Sequence, residues 1–288
     1  MSLSVVIITY NEEANLGRTL KSVQPLVRNG KGEIIVVDSG STDRTVEIAK
    51  TYGAKVFVEE WKGYAGQKNS AIDKAMGDWI LSLDADEEID PELREILTGH
   101  VDDKRPPASA AREWRLTMEH GASDAPESLQ GEPVGFLVRR RNYFLGRSIR
   151  KGGFWPDPKL RLFRRGSGRF ENRAVHEDVW VDGLTRPLRY GALLHNSYPT
   201  LSDYIDHMNR YSSLGAEMVV AKGKVRFSVI NIVLRPLATF VYNYFFRLGF
   251  LDGREGLLLH LYHAVYVSWK YAKAWELSRK QHTQQMPF

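Results

Sequence analysis

The sequence predicts an α/β protein with a doubly wound sheet, followed by a separate helical module. Three observations carry this. Short β-branched runs alternate with helix-spaced apolar residues over roughly the first hundred positions. A polar cluster stands at the end of most of those runs, and after residue 200 the pattern turns to amphipathic helix rich in aromatics.

The elements follow in order. Ser4-Val5-Val6-Ile7-Ile8-Thr9 has the β-branched continuity of a buried parallel strand and ends in Tyr10-Asn11-Glu12-Glu13. Leu16, Leu20 and Val23 then recur at helical spacing. Glu33–Val37 is a second strand, ending in the turn-rich Asp38-Ser39-Gly40-Ser41-Thr42-Asp43, which offers caps to a helix around Val46, Ile48 and Ala49. Lys55–Val58 is a third strand, Ala71–Ala75 is helical, and Trp79–Leu83 is a fourth strand ending in Asp84-Ala85-Asp86-Glu87-Glu88. In such a sheet ligands bind beyond the carboxyl ends of the strands, where Asn11-Glu12, Asp38 and Asp84-Ala85-Asp86 fall.

Composition narrows the chemistry. At 43% hydrophobic and 26% charged residues, the 288-residue chain is globular. With no cysteine, disulfides, thiolate zinc, iron–sulfur clusters and thiol nucleophiles are excluded, so any metal must sit on carboxylates, histidines, carbonyls or substrate oxygens. The first residues lack a basic n-region, and no signal peptide is expected. Residues 1–130 carry 15 Lys/Arg against 23 Asp/Glu, whereas residues 131–173 carry 12 against 3. An acidic first half suits a cation, and a basic centre suits an anionic partner. Asp84 and Asp86, one residue apart at a strand end, can turn toward one crevice and share a hard divalent ion. There is neither a Walker lysine loop nor a G-x-G-x-x-G, which argues against P-loop and dinucleotide binding.

These stretches carry a resemblance. Val6–Glu13, Ile35–Asp43, Gly66-Gln67-Lys68-Asn69 and Gly77–Glu87 resemble the family 2 glycosyltransferases, which have the GT-A fold. Asn142–Arg147, Pro156–Arg165 and Val175-His176-Glu177 resemble a narrower branch, the bacterial lipopolysaccharide core β-glucosyltransferases acting on inner-core heptose. The resemblance covers nearly the whole chain. Residues 104–132, rich in Pro, Ala, Ser and Gly, depart from it and read as a mobile insertion. The resulting division is a catalytic domain over 1–199 and a helical module over 200–288. Within the first, 1–100 is the nucleotide-sugar-binding half and 133–199 the acceptor-binding half.

The resemblance implies residue roles. Thr9, Asn11, Glu12 and Asp38 hold the nucleoside, and Lys68 lies near the base or diphosphate. Asp84 orients the ribose and the metal, Mn²⁺ or Mg²⁺; Asp86 binds the metal directly, and His195 matches a further metal ligand. His176-Glu177-Asp178 supplies the base. The alternation Val175, Glu177, Val179, Val181 is that of a strand, so only one of Glu177 and Asp178 can face the site. The family pattern places the base at Glu177. Arg161, Arg164 and Arg165 precede it closely and suit the phosphates of an acceptor.

In the last ninety residues, Thr200-x-x-Asp203 is a capping box, with Tyr204, Met208, Tyr211, Leu214 and Met218 on one helical face. The longest uncharged stretch between Val225 and Leu251 is Pro236–Phe246, short of the roughly 20 residues a membrane span needs. The apolar stretch Val225–Leu251, interrupted by Arg226, Arg235 and Arg247, and the amphipathic helix of Leu258, Tyr262, Val265, Trp269 and Ala272, flanked by Lys270, Lys273, Arg279 and Lys280, read as an in-plane membrane helix pair or, alternatively, as a helical cap packed on the core.

The expected protein is an inverting, metal-dependent hexosyltransferase. It takes a UDP-sugar, UDP-glucose on the resemblance, and an anionic lipid-linked saccharide, from a peripheral position on the cytoplasmic face of the bacterial inner membrane. Two other readings stay open. Transfer to a polyprenyl phosphate does not need the His-Glu carboxylate; a catalytically silent sugar-nucleotide-binding membrane protein would not need Asp84, Asp86 and Glu177. Nucleic-acid binding through the basic centre leaves the acidic crevice without a purpose, so no nucleic acid partner is expected.

Overall fold

The computed structural model describes residues 2–102, 132–171, 178–188, 190–223 and 225–284. The expected insertion at 104–132 lies outside them apart from Glu132. The chain forms two compact units, Met1–Arg140 with Asp157–His195, and Arg141–Pro156 with Asn196–Phe288.

The first unit is built on β1 (Leu3–Thr9), β2 (Gly32–Asp38), β3 (Lys55–Val58) and β4 (Trp79–Leu83), parallel to one another in the order β3-β2-β1-β4. Their register sets Thr9 beside Asp38. Beyond β4 the sheet becomes mixed. β8 (Pro158–Arg164) runs antiparallel to β4 and to β6 (Gly135–Phe144), and β12 (Leu193–Tyr198) pairs antiparallel with β5 (Glu87–Ile89). β7 (Arg147–Ser148) and β11 (Thr185–Pro187) also pair with β6. β9 (Gly168–Phe170) and β10 (Val179–Val181) form a separate antiparallel pair.

Strand periodicity sends alternate residues to opposite faces, and both faces are covered. Leu3, Val5 and Ile7 pack against Leu16, Leu20 and Val23 of α1 (Leu16–Val27), Ala49 of α2 (Thr45–Thr51) and Leu93 and Leu97 of α4 (Pro91–Asp102). Val6, Ile35, Val37 and Ile80 pack against Ala65, Ala71 and Ile72 of α3 (Gly63–Asp73). This is the doubly wound arrangement expected. Two details were not. α3 begins at Gly63, ahead of the expected Ala71, because its buried face includes Gln67 and Lys68 and so lacks an apolar period. β5 is a strand despite its polar sequence, since β12 pairs with it and Glu87 is buried among cations.

In the second unit α5 (Leu201–Ala221) opens with the expected capping box: Thr200 Oγ1 accepts from Asp203 N, and Asp203 accepts from Thr200 N. α5 packs along α7 (Gly253–Gln284). Between them, α6 (Arg235–Val241) is flanked by π-helical turns at Ile230–Leu234 and Tyr242–Phe246. Leu258 and Tyr262 pack on the core formed by Phe144, Ile149, Tyr204 and Leu259. Lys273 Nζ donates to Asn209 O, Asn209 Oδ1, Ser212 Oγ and Ser213 Oγ, all on α5, at 2.6–2.9 Å. Of the α7 residues expected at a membrane or on the core, Leu258 and Tyr262 thus face inward, because the helix is apolar over much of its circumference and α5 covers that side. Among the described residues no helix is long and apolar enough to cross a membrane.

Candidate active site

The carboxyl ends of β1, β2 and β4 are organised by their own side chains. Asn11 adopts a left-handed backbone (φ 53°), a conformation asparagine tolerates better than most residues. That turn lets Asn11 N donate to Ser41 Oγ at 2.8 Å, while Asn11 Oδ1 accepts from Thr42 N at 2.8 Å. Glu12 N donates to Thr45 Oγ1 at 2.7 Å. Asp38 is fully buried and accepts from Thr9 Oγ1, Gly40 N, Ser41 N and Ser41 Oγ. It therefore fixes the loop after β2 in the form that the loop after β1 meets.

At the end of β4 the chain turns tightly. Asp84 N donates to Glu87 Oε2 at 3.1 Å, Glu87 N donates to Asp84 O at 3.1 Å, and Thr19 Oγ1 of α1 anchors Ala85 O at 2.7 Å. The turn takes Asp84 and Asp86 out of extended geometry. Asp84 Oδ1 meets Lys68 Nζ at 2.8 Å, and its Oδ2 meets Arg161 Nη2 at 2.6 Å. Asp86 Oδ2 faces His195 Nε2 at 3.3 Å. Beneath them Glu87, with no exposure, holds Arg161 Nη2 at 2.8 Å and Arg140 Nη1 at 3.5 Å. Arg140 also reaches Asp157 at 2.8 Å.

Electrostatics follow the geometry. Burial alone would raise the Asp84 carboxyl, but Arg161 and Lys68 outweigh it and hold it well below the usual range. Burial likewise opposes ionisation of Asp86, and His195 overcomes it. Glu12 goes the other way. Burial raises it, with Asp86, Asp43 and Asp84 adding to the effect, against one hydrogen bond from Asn15. The crevice thus carries two ionised aspartates, Asp84 paired with Lys68 and Arg161 and Asp86 with His195, beside a glutamate that resists ionising.

Among the described residues no three acidic or histidine side chains converge into a complete cation cage. The donor set still fits a divalent ion that leaves positions open for phosphate oxygens and water: a carboxylate and an imidazole nitrogen stand together at Asp86 and His195. Both Asp84 oxygens are engaged by cationic side chains.

Of the expected site residues, Thr9, Asn11, Glu12, Asp38, Lys68, Asp84, Asp86 and His195 all belong to this first unit. Arg161 joins them, but 6% exposed and beneath Asp84, where it is poorly presented to an acceptor. Arg164 and Arg165 are not brought here. Arg164 is the register partner of Trp79, the first residue of β4, and pairs with Glu132 at 2.6 Å. Arg165 Nε donates to Gly77 O at 3.0 Å. The five residues of β4 separate them from Asp84 by roughly 17 Å of extended chain. β8 runs antiparallel to β4, so its later residues lie toward the start of that strand. Glu177 lies outside the described residues. Asp178 precedes β10, and its carbonyl accepts from Glu171 N at 3.2 Å. Sequence reasoning missed Glu87 as the buried carboxylate that Arg161 and Arg140 share; an arginine between Leu160 and Leu162 of a buried strand was the available signal.

Residues 4–166 match the model of glycosyl transferase family 2. The chain belongs to that family. It is a family 2 glycosyltransferase, with the mixed α/β sheet expected of its GT-A fold. It is 32% identical to the lipopolysaccharide core biosynthesis glycosyltransferase LpsC of Rhizobium meliloti, over 96% of this chain and 93% of that protein. It is also 32% identical to an uncharacterized glycosyltransferase of Rickettsia typhi, over 96% of this chain and 88% of the relative. Among solved structures, the mannosyltransferase PcManGT from Pyrobaculum calidifontis, in complex with GDP-Man and Mn²⁺, aligns over 99% of this chain and 76% of its own at 15% identity, with a TM-score of 0.47.

Proposed function

We propose that this glycosyltransferase moves a hexose, glucose, from a UDP-sugar to a hydroxyl of a lipid-linked saccharide such as the lipopolysaccharide inner core, with inversion and with a divalent ion. The observation that carries the reading is the crevice at the ends of β1, β2 and β4, where Asp84 and Asp86 are both kept ionised beside His195 and Glu12. Full-length similarity to LpsC supports the acceptor class.

In this reading Asp38, Thr9, Asn11 and Glu12 shape the nucleoside pocket by holding two loops together. Lys68 and Arg161 keep Asp84 charged and fixed, so that it orients the ribose and the ion. Asp86 and His195 hold the ion, which when bound offsets the negative charge that builds on the leaving diphosphate. Glu177 takes the proton of the acceptor hydroxyl as its oxygen bonds to the anomeric carbon. The bond from that carbon to the β-phosphate oxygen breaks, and its electron pair leaves with UDP. The acceptor is met at the cytoplasmic face of the inner membrane, with the enzyme held there peripherally.

Release of UDP from a panel of nucleotide sugars, with Mn²⁺, Mg²⁺ or chelator, tests the reading. UDP-glucose should be hydrolysed fastest, and only with an ion present. Equal turnover in chelator, or preference for a GDP-sugar, would overturn the donor and metal assignments.

A further inference from the structure

The transfer reading makes no use of the largest exposed apolar residues of the second unit. Ile230, Val233, Leu234, Leu237, Phe245 and Phe246 are 53–74% exposed and crowd α6 and the π-helical turns on either side of it. Leu248, Phe250 and Leu251 continue the exposed series into the next turn. Exposed apolar side chains are ordinary when scattered singly, whereas a contiguous series marks a surface that something covers.

The charge around this series selects the occupant. From Met218 to Leu251 there is no Asp or Glu, and there are five Lys or Arg. Of these, Arg226, Arg235 and Arg247 are exposed. Arg150 and Lys151 are exposed in the same unit, and their backbone N–H groups donate to the Asp252 carboxylate at 3.1 and 2.8 Å. That contact ties a basic corner to the turn bearing Phe250 and Leu251. A second copy of the chain would set this positive surface against itself. An anionic lipid leaflet meets both features, burying the apolar side chains at the acyl boundary while the arginines reach its headgroups.

We infer that residues 227–251 form an in-plane docking surface for an anionic bilayer leaflet. The inference rests on the reading that the acceptor is lipid-linked, and of the two segments expected to lie in the membrane plane it assigns the contact to α6 and its flanking turns, with Leu258 and Tyr262 of α7 packed inward.

The test is co-sedimentation of the full chain with vesicles of phosphatidylglycerol and phosphatidylcholine, against vesicles of phosphatidylcholine alone. UDP-glucose hydrolysis is measured in vesicle-free solution in parallel. The wild type should bind the anionic vesicles at least about tenfold more tightly, and raised salt should weaken that binding. Leu237→Glu combined with Phe246→Glu should keep the circular dichroism spectrum and the solution hydrolysis, since both side chains are exposed, and lose vesicle binding by about tenfold or more. Wild-type protein that ignores anionic vesicles, or a folded double variant that binds them as the wild type does, would overturn the inference. So would a wild-type dimer that the double variant converts to monomer without any vesicle binding, which assigns the face to self-association. Vesicle binding lost in the double variant, in a protein with no hydrolysis of any nucleotide sugar, would uphold the docking surface and sink the transfer reading alone.

Discussion

Arg161→Met probes the floor of the site. The guanidinium meets Asp84 at 2.6 Å and Glu87 at 2.8 Å while only 6% exposed, and Glu87 has no exposure at all. In bulk water an ion pair at about 4 Å is worth about 1 kcal/mol, which the flexible partners largely give back in entropy. Here the cost has another origin. Without Arg161, Glu87 stays buried with Arg140 at 3.5 Å and the Asp84 N–H at 3.1 Å. Removing one partner of a buried pair costs about 3–5 kcal/mol, because the other charge is left uncompensated. That is a large part of the roughly 5–15 kcal/mol that holds a domain together. The variant should fold yet unfold at clearly lower urea. Glu87→Gln, added to it, removes the stranded charge, so the double variant should recover part of the loss. Urea unfolding of the two single variants and the double closes the cycle and isolates the coupling. A loss below about 1 kcal/mol for Arg161→Met, or strictly additive effects, would refute the buried-network argument.

Three further outcomes are expected. His263, largely buried, is held down to about 4 from an ordinary 6.5 chiefly by burial, with the charges of His260 and Lys270 adding to the effect. The unfolded chain therefore binds more protons between those values, and stability present above pH 6.5 should fall by about 3 kcal/mol as pH drops toward 4. Thermal melts of His263→Gln should show a shallower acid slope, and parallel slopes would overturn the assignment. Thr200→Ala removes the acceptor of the Asp203 N–H in the capping box and should cost about 1 kcal/mol in a denaturant titration. Glu177→Gln should lower kcat by about 10²–10⁴-fold with donor affinity unchanged; a near-normal rate, with Asp178→Asn impaired instead, would transfer the role of base to Asp178.

What could be read from the sequence depended on whether a residue's environment repeats along the chain. β1, β2 and β4 were legible because strands buried on both faces read as unbroken apolar runs. The clusters at Asn11, Asp38 and Asp84 were legible because they end those runs. Glu87 and Arg161 were not, since each looks like a solvated charge until strand pairing brings one against the other. Nor could sequence give the direction of β8, on which the separation of Arg164 and Arg165 from Asp84 depends. α7 misled for a third reason. Its apolar residues lie around much of the helix, and only the packing of α5 decides which side is interior.

The central claim is that this crevice binds a nucleotide through an ion held at Asp86. Calorimetric titration of UDP into the wild type and Asp86→Ala, each with and without Mn²⁺, tests it most directly. The wild type should bind UDP more tightly with Mn²⁺, and Asp86→Ala, with an unchanged circular dichroism spectrum, should lose that enhancement. The same Mn²⁺-dependent affinity in Asp86→Ala would contradict the account.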